Sequence, residues 1–235
     1  MLQGDIGLKG SDIGFPCKEE KVAAPSKIND LAKLLFESAE YIGRNRTDGQ
    51  YVGDLFQTFL HRAPTPGESS SWTALVAGTT RNLVLLSFAF GPEFNTYLNG
   101  ILGPPTARPE YNLMNDFYRG VLNRLPESAG FNFWLGQIKT AQCTGAQQVA
   151  NTSNTIASLF FHSAEYAGRA RNNPGYVEDV YDAIMRRNAD LGGYNFWVGV
   201  LNASTWTRDG VLAFFTQSPE FQTRVNQVIA AGCVP

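Results

Sequence analysis

Three arginines at a common spacing constrain this chain more than any other feature. Arg62, Arg124 and Arg187 are each preceded at six residues by an aromatic (Phe56, Tyr118, Tyr181) and followed at ten by a tryptophan (Trp72, Trp134, Trp197). The same residue types returning three times, at a period of roughly sixty residues, require a tandem array of one helical unit.

Counting back from each arginine, positions −10, −7, −6, −3 and −2 are apolar or aromatic in every copy, for example Val52, Leu55, Phe56, Phe59 and Leu60. That spacing is the packing stripe of an amphipathic helix, so each module opens with a helix one. Breaker-rich stretches follow: Ala63 to Glu68, Leu125 to Gly130 and Asn188 to Gly193. Each reads as a turn. Thr65, Pro66 and Glu68 form a capping box, and Asp190 has the same offset, which starts a helix two carrying the tryptophan on its buried face. Helix three carries Val84 and Phe88, Ile156 and Phe160, or Val211 and Phe215. It ends at Gly91-Pro92-Glu93-Phe94, Ser163-Ala164-Glu165-Tyr166 or Ser218-Pro219-Glu220-Phe221, where an N-cap followed by an acidic first turn restarts a helix.

The expected fold class is therefore all-α: tandem repeats of a three-to-four-helix module with no sheet. The closing motif appears once more at Ser38-Ala39-Glu40-Tyr41, so the chain opens on the tail of a fourth copy. Ser38 to Arg44 recurs as Ser163 to Arg169, offset by 125 residues, as are Arg62 and Arg187, which suggests duplication of a two-module unit. The expected layout is a flexible or docking tail over 1–27, without periodicity, then a partial module plus module one over 28–103. Module two covers 110–172 and module three 173–231. A Pro/Gly-rich linker runs from Leu102 to Pro109, and residues 140–154 are an insertion inside module two.

With 43% hydrophobic and 12% aromatic content over 235 residues, whole-chain disorder is excluded. A net charge of −2 with scattered basic residues excludes the electrostatic footprint of a nucleic-acid binder. No run of eighteen apolar residues offers a membrane span, and Met1-Leu2-Gln3-Gly4 lacks the basic and apolar regions of a signal peptide. Export stays open, since the chain could be the mature form of a longer precursor. Cys17, Cys143 and Cys233 all lie outside the repeated core. Two readings stand side by side: one disulfide pinning a terminus in an oxidising compartment, or three reduced, inert thiols.

The pattern of an aromatic, Leu-x-Arg, a Pro/Asp/Gly turn, a tryptophan and a closing Ser-x-Glu-aromatic resembles the bacterial domain of unknown function numbered 4214, itself similar to the helical linker domain of phycobilisomes. Tyr118 to Arg124, Pro126, Gly130, Trp134 and Ser163 to Tyr166 carry it in module two. Tyr181 to Arg187, Asp190, Gly192, Trp197 and Ser218 to Phe221 carry it in module three. Module one departs from it at Phe56, Thr65 and Gly91. The resemblance implies an all-helical fold common in large exported or surface-associated bacterial proteins, often beside adhesive or calcium-binding repeats, and brings no catalytic residues.

The signature residues Arg62, Trp72, Glu93, Arg124, Trp134, Glu165, Arg187, Trp197 and Glu220 read as scaffolding. Each arginine is expected to tie helix one to its module's glutamate by a charged hydrogen bond. Glu40 with Arg44, Glu165 with Arg169 and Glu220 with Arg224 have the i, i+4 spacing of solvated surface pairs. His61 and His162 sit in no metal-ligand or nucleophile motif. No calcium loop or phosphate cradle is present either, so no metal, cofactor or catalytic residue is expected. Trp206, in a polar stretch between helices and without counterpart in the other modules, is the one candidate binding residue. The function expected is a non-catalytic structural or interaction protein of the bacterial cell surface or extracellular space. It would assemble with itself or another surface protein into an oligomer or filament. The alternative is a carbohydrate-binding adhesion module recognising a glycan; an enzyme ranks last.

Overall fold

A computed structural model describes residues 31–102, 108–187 and 189–233, and all regular structure among them is helical. The proposed tail, Cys17 and most of the Pro/Gly-rich linker lie outside the described residues. The stump of the fourth copy is α1 (31–36) and α2 (Ala39–Gly43). Module one is α3 (Asp48–Leu55, continued by a π-helical turn Phe56–Leu60), α4 (Pro66–Gly78), α5 (Arg81–Ala89) and α6 (Pro92–Leu102). Module two is α7 (Pro109–Leu122), α8 (Ser128–Thr144), α9 (Ala146–Phe161) and α10 (Ala164–Gly168). Module three is α11 (Asn173–Val180, with a π turn Tyr181–Met185), α12 (Leu191–Asn202), α13 (Arg208–Thr216) and α14 (Pro219–Ala230).

Local chemistry sets the helix starts. Ser38, Ser163 and Ser218 accept hydrogen bonds from the backbone N–H of Tyr41, Tyr166 and Phe221, at 3.2, 3.1 and 3.3 Å. Thr65 and Glu68 close a reciprocal capping box on α4, and Asp190 accepts the Gly193 N–H at 2.8 Å to start α12. Each helix one ends on a non-glycine residue in the left-handed region: His61, Asn123 and Arg186, with φ of 54°, 52° and 54°. That kink aims the next residue, the signature arginine, back across its own module. The insertion in module two lengthens α8 and α9, which meet at Gly145 (φ 143°).

Modules two and three share one apolar core, and module one with the stump forms a second. Helix α5 joins them: Val84, Leu85 and Phe88 face the first-module core, while Leu83 and Leu86 face the other. A helix buried on both sides needs an apolar surface all round, and its sequence Leu83-Val84-Leu85-Leu86 supplies one.

Between modules two and three, helix one packs on helix one through equivalent positions. Gly120 on α7 lies against Ala183 of the π turn, both four residues before their arginine. A Cβ at Gly120 would stand 2.5 Å from the Ala183 nitrogen and 2.6 Å from its Cα, so the helices approach closely only because this residue has no side chain. Gly120→Ala is expected to lower unfolding free energy by about 2–3 kcal/mol, since backbone must move. Urea denaturation checks this, and a loss below about 0.5 kcal/mol would mean that the contact is loose.

Cys143 and Cys233 form a disulfide with Cα atoms 4.4 Å apart, clamping the segment after α14 to the end of α8 across 90 residues of sequence. Gln142 donates to the Val228 carbonyl at 2.8 Å beside it.

Candidate interaction site

The signature arginines act inside the modules. Arg62 lies over the Phe56 ring (4.9 Å) and bonds Glu68 (2.8 Å) and Glu93 (3.3 Å). Arg124 lies over Tyr118 (5.0 Å) and bonds Glu165 at 2.5 and 3.0 Å as well as Glu127. Arg187 lies over Tyr181 (5.6 Å) and grips Glu220 at 3.0 and 3.1 Å. Arg62, together with the Thr65 N–H and hydroxyl, pulls the Glu68 carboxyl down to about 2. Trp197 is buried, while Trp72 and Trp134 are partly buried against the cores.

Two of the three expected i, i+4 surface pairs do not form. Glu40 and Arg44 meet at 3.2 Å, but Arg169 turns to the Val121 carbonyl and to Asp179, and Arg224 to Asp116 and the carbonyls of Ala183 (3.1 Å) and Ile184 (2.6 Å). The reason is competition: Glu165 and Glu220 are taken by the signature arginines, and the π turn leaves carbonyls that need a donor.

Sequence reading also passed over a buried ionic cluster at the junction. Asp182, fully buried, accepts from Lys33 of the stump at 2.6 Å and from Arg119 of module two at 2.9 Å. Arg119 also holds Asp116 at 2.6 Å, and Arg119 and Arg186 lie over the Phe90 ring of module one at 4.7 and 4.5 Å. Burial would raise the Asp182 carboxyl, but Lys33 and Arg119 outweigh it and hold it down to about 2. Asp116, Arg119 and Asp182 lie on the side of helix one opposite the apolar stripe, where charges ordinarily meet water, so nothing local marked the cluster.

Trp206 is part of an exposed aromatic face on module three. It stands 5.6 Å from Trp197 and 6.2 Å from Phe214, with Phe196 5.0 Å from Trp197 on the other side. Phe196, Trp206 and Phe214 are each about half exposed. The segment beneath is held firmly: Thr205 donates to the Val200 carbonyl at 3.1 Å, Thr207 caps α13, and a Cβ on Gly210 would come within 3.4 Å of the Trp206 ring. Module two carries exposed Phe133 and Leu159 at the positions of Phe196 and Phe214, immediately before Trp134 and Phe160. Module one has Ser71 and Ser87 there. That contrast was readable in the repeat alignment and marks the face more sharply than Trp206 alone.

The histidines lie elsewhere. His61 rests against Tyr97 (4.6 Å), and His162 bridges Asp209 (2.8 Å) and the Ser158 carbonyl (2.7 Å), which together raise its pKa. Among the described residues no three His, Cys, Asp or Glu side chains gather as a metal set, and no helix is long and apolar enough to cross a membrane.

A family described as a domain of unknown function (DUF4214) matches residues 32–98 and 157–225, more than half of the chain. The chain belongs to this family. Comparison with curated proteins and with solved structures finds no match. The matched segments begin at residues 32 and 157, each inside a helix three, so the family unit starts two helices before the arginine-bearing helix one. The module-one signature from Phe56 to Phe94, despite its departures from the pattern, lies inside the first match, whereas helices α7 and α8 of module two lie outside both. Twenty-nine residues separate Trp134 from Ser163, against 19 from Trp72 to Gly91 and 21 from Trp197 to Ser218; the lengthened α8 and α9 set module two apart.

Proposed function

We propose that this DUF4214 protein is a non-catalytic helical scaffold that self-associates through the aromatic face of module three, outside the cytoplasm at the bacterial surface or beyond it. One observation carries the reading: the same two positions bear exposed apolar side chains in modules two and three and serine in module one. A face repeated along one chain gives each copy apolar surfaces able to meet their counterparts on another, and a symmetric patch is the usual basis of homo-oligomers. The rings also favour protein over sugar. Trp206 stands at 76° to Trp197 and 83° to Phe214, an interlocked ridge rather than a flat shelf for a pyranose. The disulfide supports an oxidising compartment.

Sedimentation velocity tests it on the disulfide-intact chain. The expected result is concentration-dependent association that weakens at least roughly tenfold in Phe196→Ser/Phe214→Ser, which copies module one, with thermal stability nearly unchanged. A monomer at all concentrations would overturn the proposal, and binding of that monomer to a glycan array, lost in Trp206→Ala, would replace it with the carbohydrate reading.

A further inference from the structure

The two halves of the chain build the same aromatic corner and finish it differently. Phe161, Tyr166 and Tyr176 pack with ring centroids 5.2, 5.5 and 6.4 Å apart. Their counterparts 125 residues earlier, Phe36, Tyr41 and Tyr51, do so at 4.8, 5.7 and 6.3 Å. The Tyr176 hydroxyl donates to the Arg208 carbonyl at 2.7 Å and the Tyr51 hydroxyl to the Arg81 carbonyl at 2.8 Å, which makes those two arginines equivalent at the start of helix three. Each guanidinium returns to a carbonyl, Arg208 to that of Arg171 at 2.6 Å and Arg81 to that of Arg46 at 2.5 Å. On this common frame one pair has changed. His162 and Asp209, which follow Phe161 and Arg208, bond each other at 2.8 Å. Glu37 and Asn82 follow Phe36 and Arg81, and their Oε2 and Oδ1 atoms are buried without a hydrogen-bond partner. Both residues line a cavity of about 480 Å³, beside Phe36, Tyr41, Tyr51 and Leu85.

We propose that this cavity binds a small organic cation, a primary ammonium group carried on an aromatic body. Buried oxygens without donors are costly, so two of them on the lining of one cavity call for a ligand that brings N–H groups. An ammonium has three, enough to serve both. Charge sets the sign. The arginines of the lining are already matched, Arg81 to Asp48 at 2.7 Å and Arg46 to Asp54 at 2.9 Å, which leaves the Glu37 carboxylate to attract a cation. The Tyr41 hydroxyl donates to Asp54 at 2.8 Å and that of Tyr51 to the Arg81 carbonyl, so the tyrosines contribute ring surface, which suits an aromatic body and a cation near it. The volume lies within the range of small-molecule pockets. The inference is independent of the aromatic face on module three.

Isothermal titration calorimetry of the full, disulfide-intact chain with phenethylammonium chloride near neutral pH tests it. One site is expected, with a dissociation constant of about 1 mM or below. Binding should weaken at least roughly tenfold in Glu37→Gln, which removes the charge and keeps the shape, and in Glu37→His/Asn82→Asp, which copies the pair of the second half. The double variant rebuilds a bridge that the fold already accepts, so lost binding at wild-type helicity, read by circular dichroism, separates an altered site from an unfolded chain. Phenylacetate, with the same ring and the opposite charge, should not bind. No binding of the amine at about 10 mM, equal affinity in the wild type and both variants, or phenylacetate binding as tightly as the amine would each overturn the proposal.

Discussion

Replacing Cys143 and Cys233 together by serine is expected to lower the free energy of unfolding by about 4 kcal/mol, the loss predicted when a link closing a loop of 90 residues is removed. The effect is large because the bond joins elements far apart in sequence: it ties the segment after α14 to the corner between α8 and α9, which belongs to a different module. Without it, α14 is held by its apolar face, by the Gln142 bond and by the Arg224 contacts to Asp116 and the π-turn carbonyls. Guanidinium unfolding of the double variant, beside wild type with and without reductant, measures the loss. A change below about 1 kcal/mol would mean that those contacts fix α14 alone. Thiol titration of the unfolded, non-reduced wild-type chain should find one free thiol, Cys17, if the two linked cysteines are the only pair.

Asp182→Leu is expected to cost about 3–5 kcal/mol, because it leaves the buried Lys33 ammonium without its carboxylate and takes the Asp182 carboxylate from Arg119. Lys33→Met together with Asp182→Leu removes both charges and should recover more than half of that loss, the behaviour expected when an uncompensated charge, rather than missing attraction, dominates. A double variant no better than the single would refute this account. The cluster also sets an acid limit. With the folded carboxyl near 2 and its unfolded value near 3.9, the charged Asp182 stabilises fully above about pH 4. That contribution, on the order of 2 kcal/mol, is lost as pH falls from about 4 towards 2, and Asp182→Leu should lack this step.

Much of the architecture is local in origin and was legible before any coordinates. The apolar stripe ahead of Arg62, Arg124 and Arg187, the Thr65 and Asp190 starts and the Ser38, Ser163 and Ser218 caps each depend on residues within a few positions of one another, so a repeat scan finds them. The arginines' glutamate partners could be named because each end recurs in its own short motif in every module, although 31, 41 and 33 residues separate them. Trp206 stood out by having no counterpart, whereas Phe196 and Phe214 beside it show only against Ser71 and Ser87 of module one, because nothing within helices α12 and α13 tells an exposed phenylalanine from a buried one.

By itself, the sequence determined a helical module, its period and its caps, because these follow from short-range geometry and from an apolar stripe on one side of each helix. Only the tertiary structure decided what happens on the other side. Asp116, Arg119 and Asp182 look like solvent-facing charges on a single helix and become a buried cluster because module two packs on module three there, while α5 is shared between two cores. The module-one position equivalent to Arg119 and Asp182, Gln57, stays exposed. Whether a polar face of a helix meets water or another helix depends on contacts between residues tens of positions apart, and no local pattern encodes that.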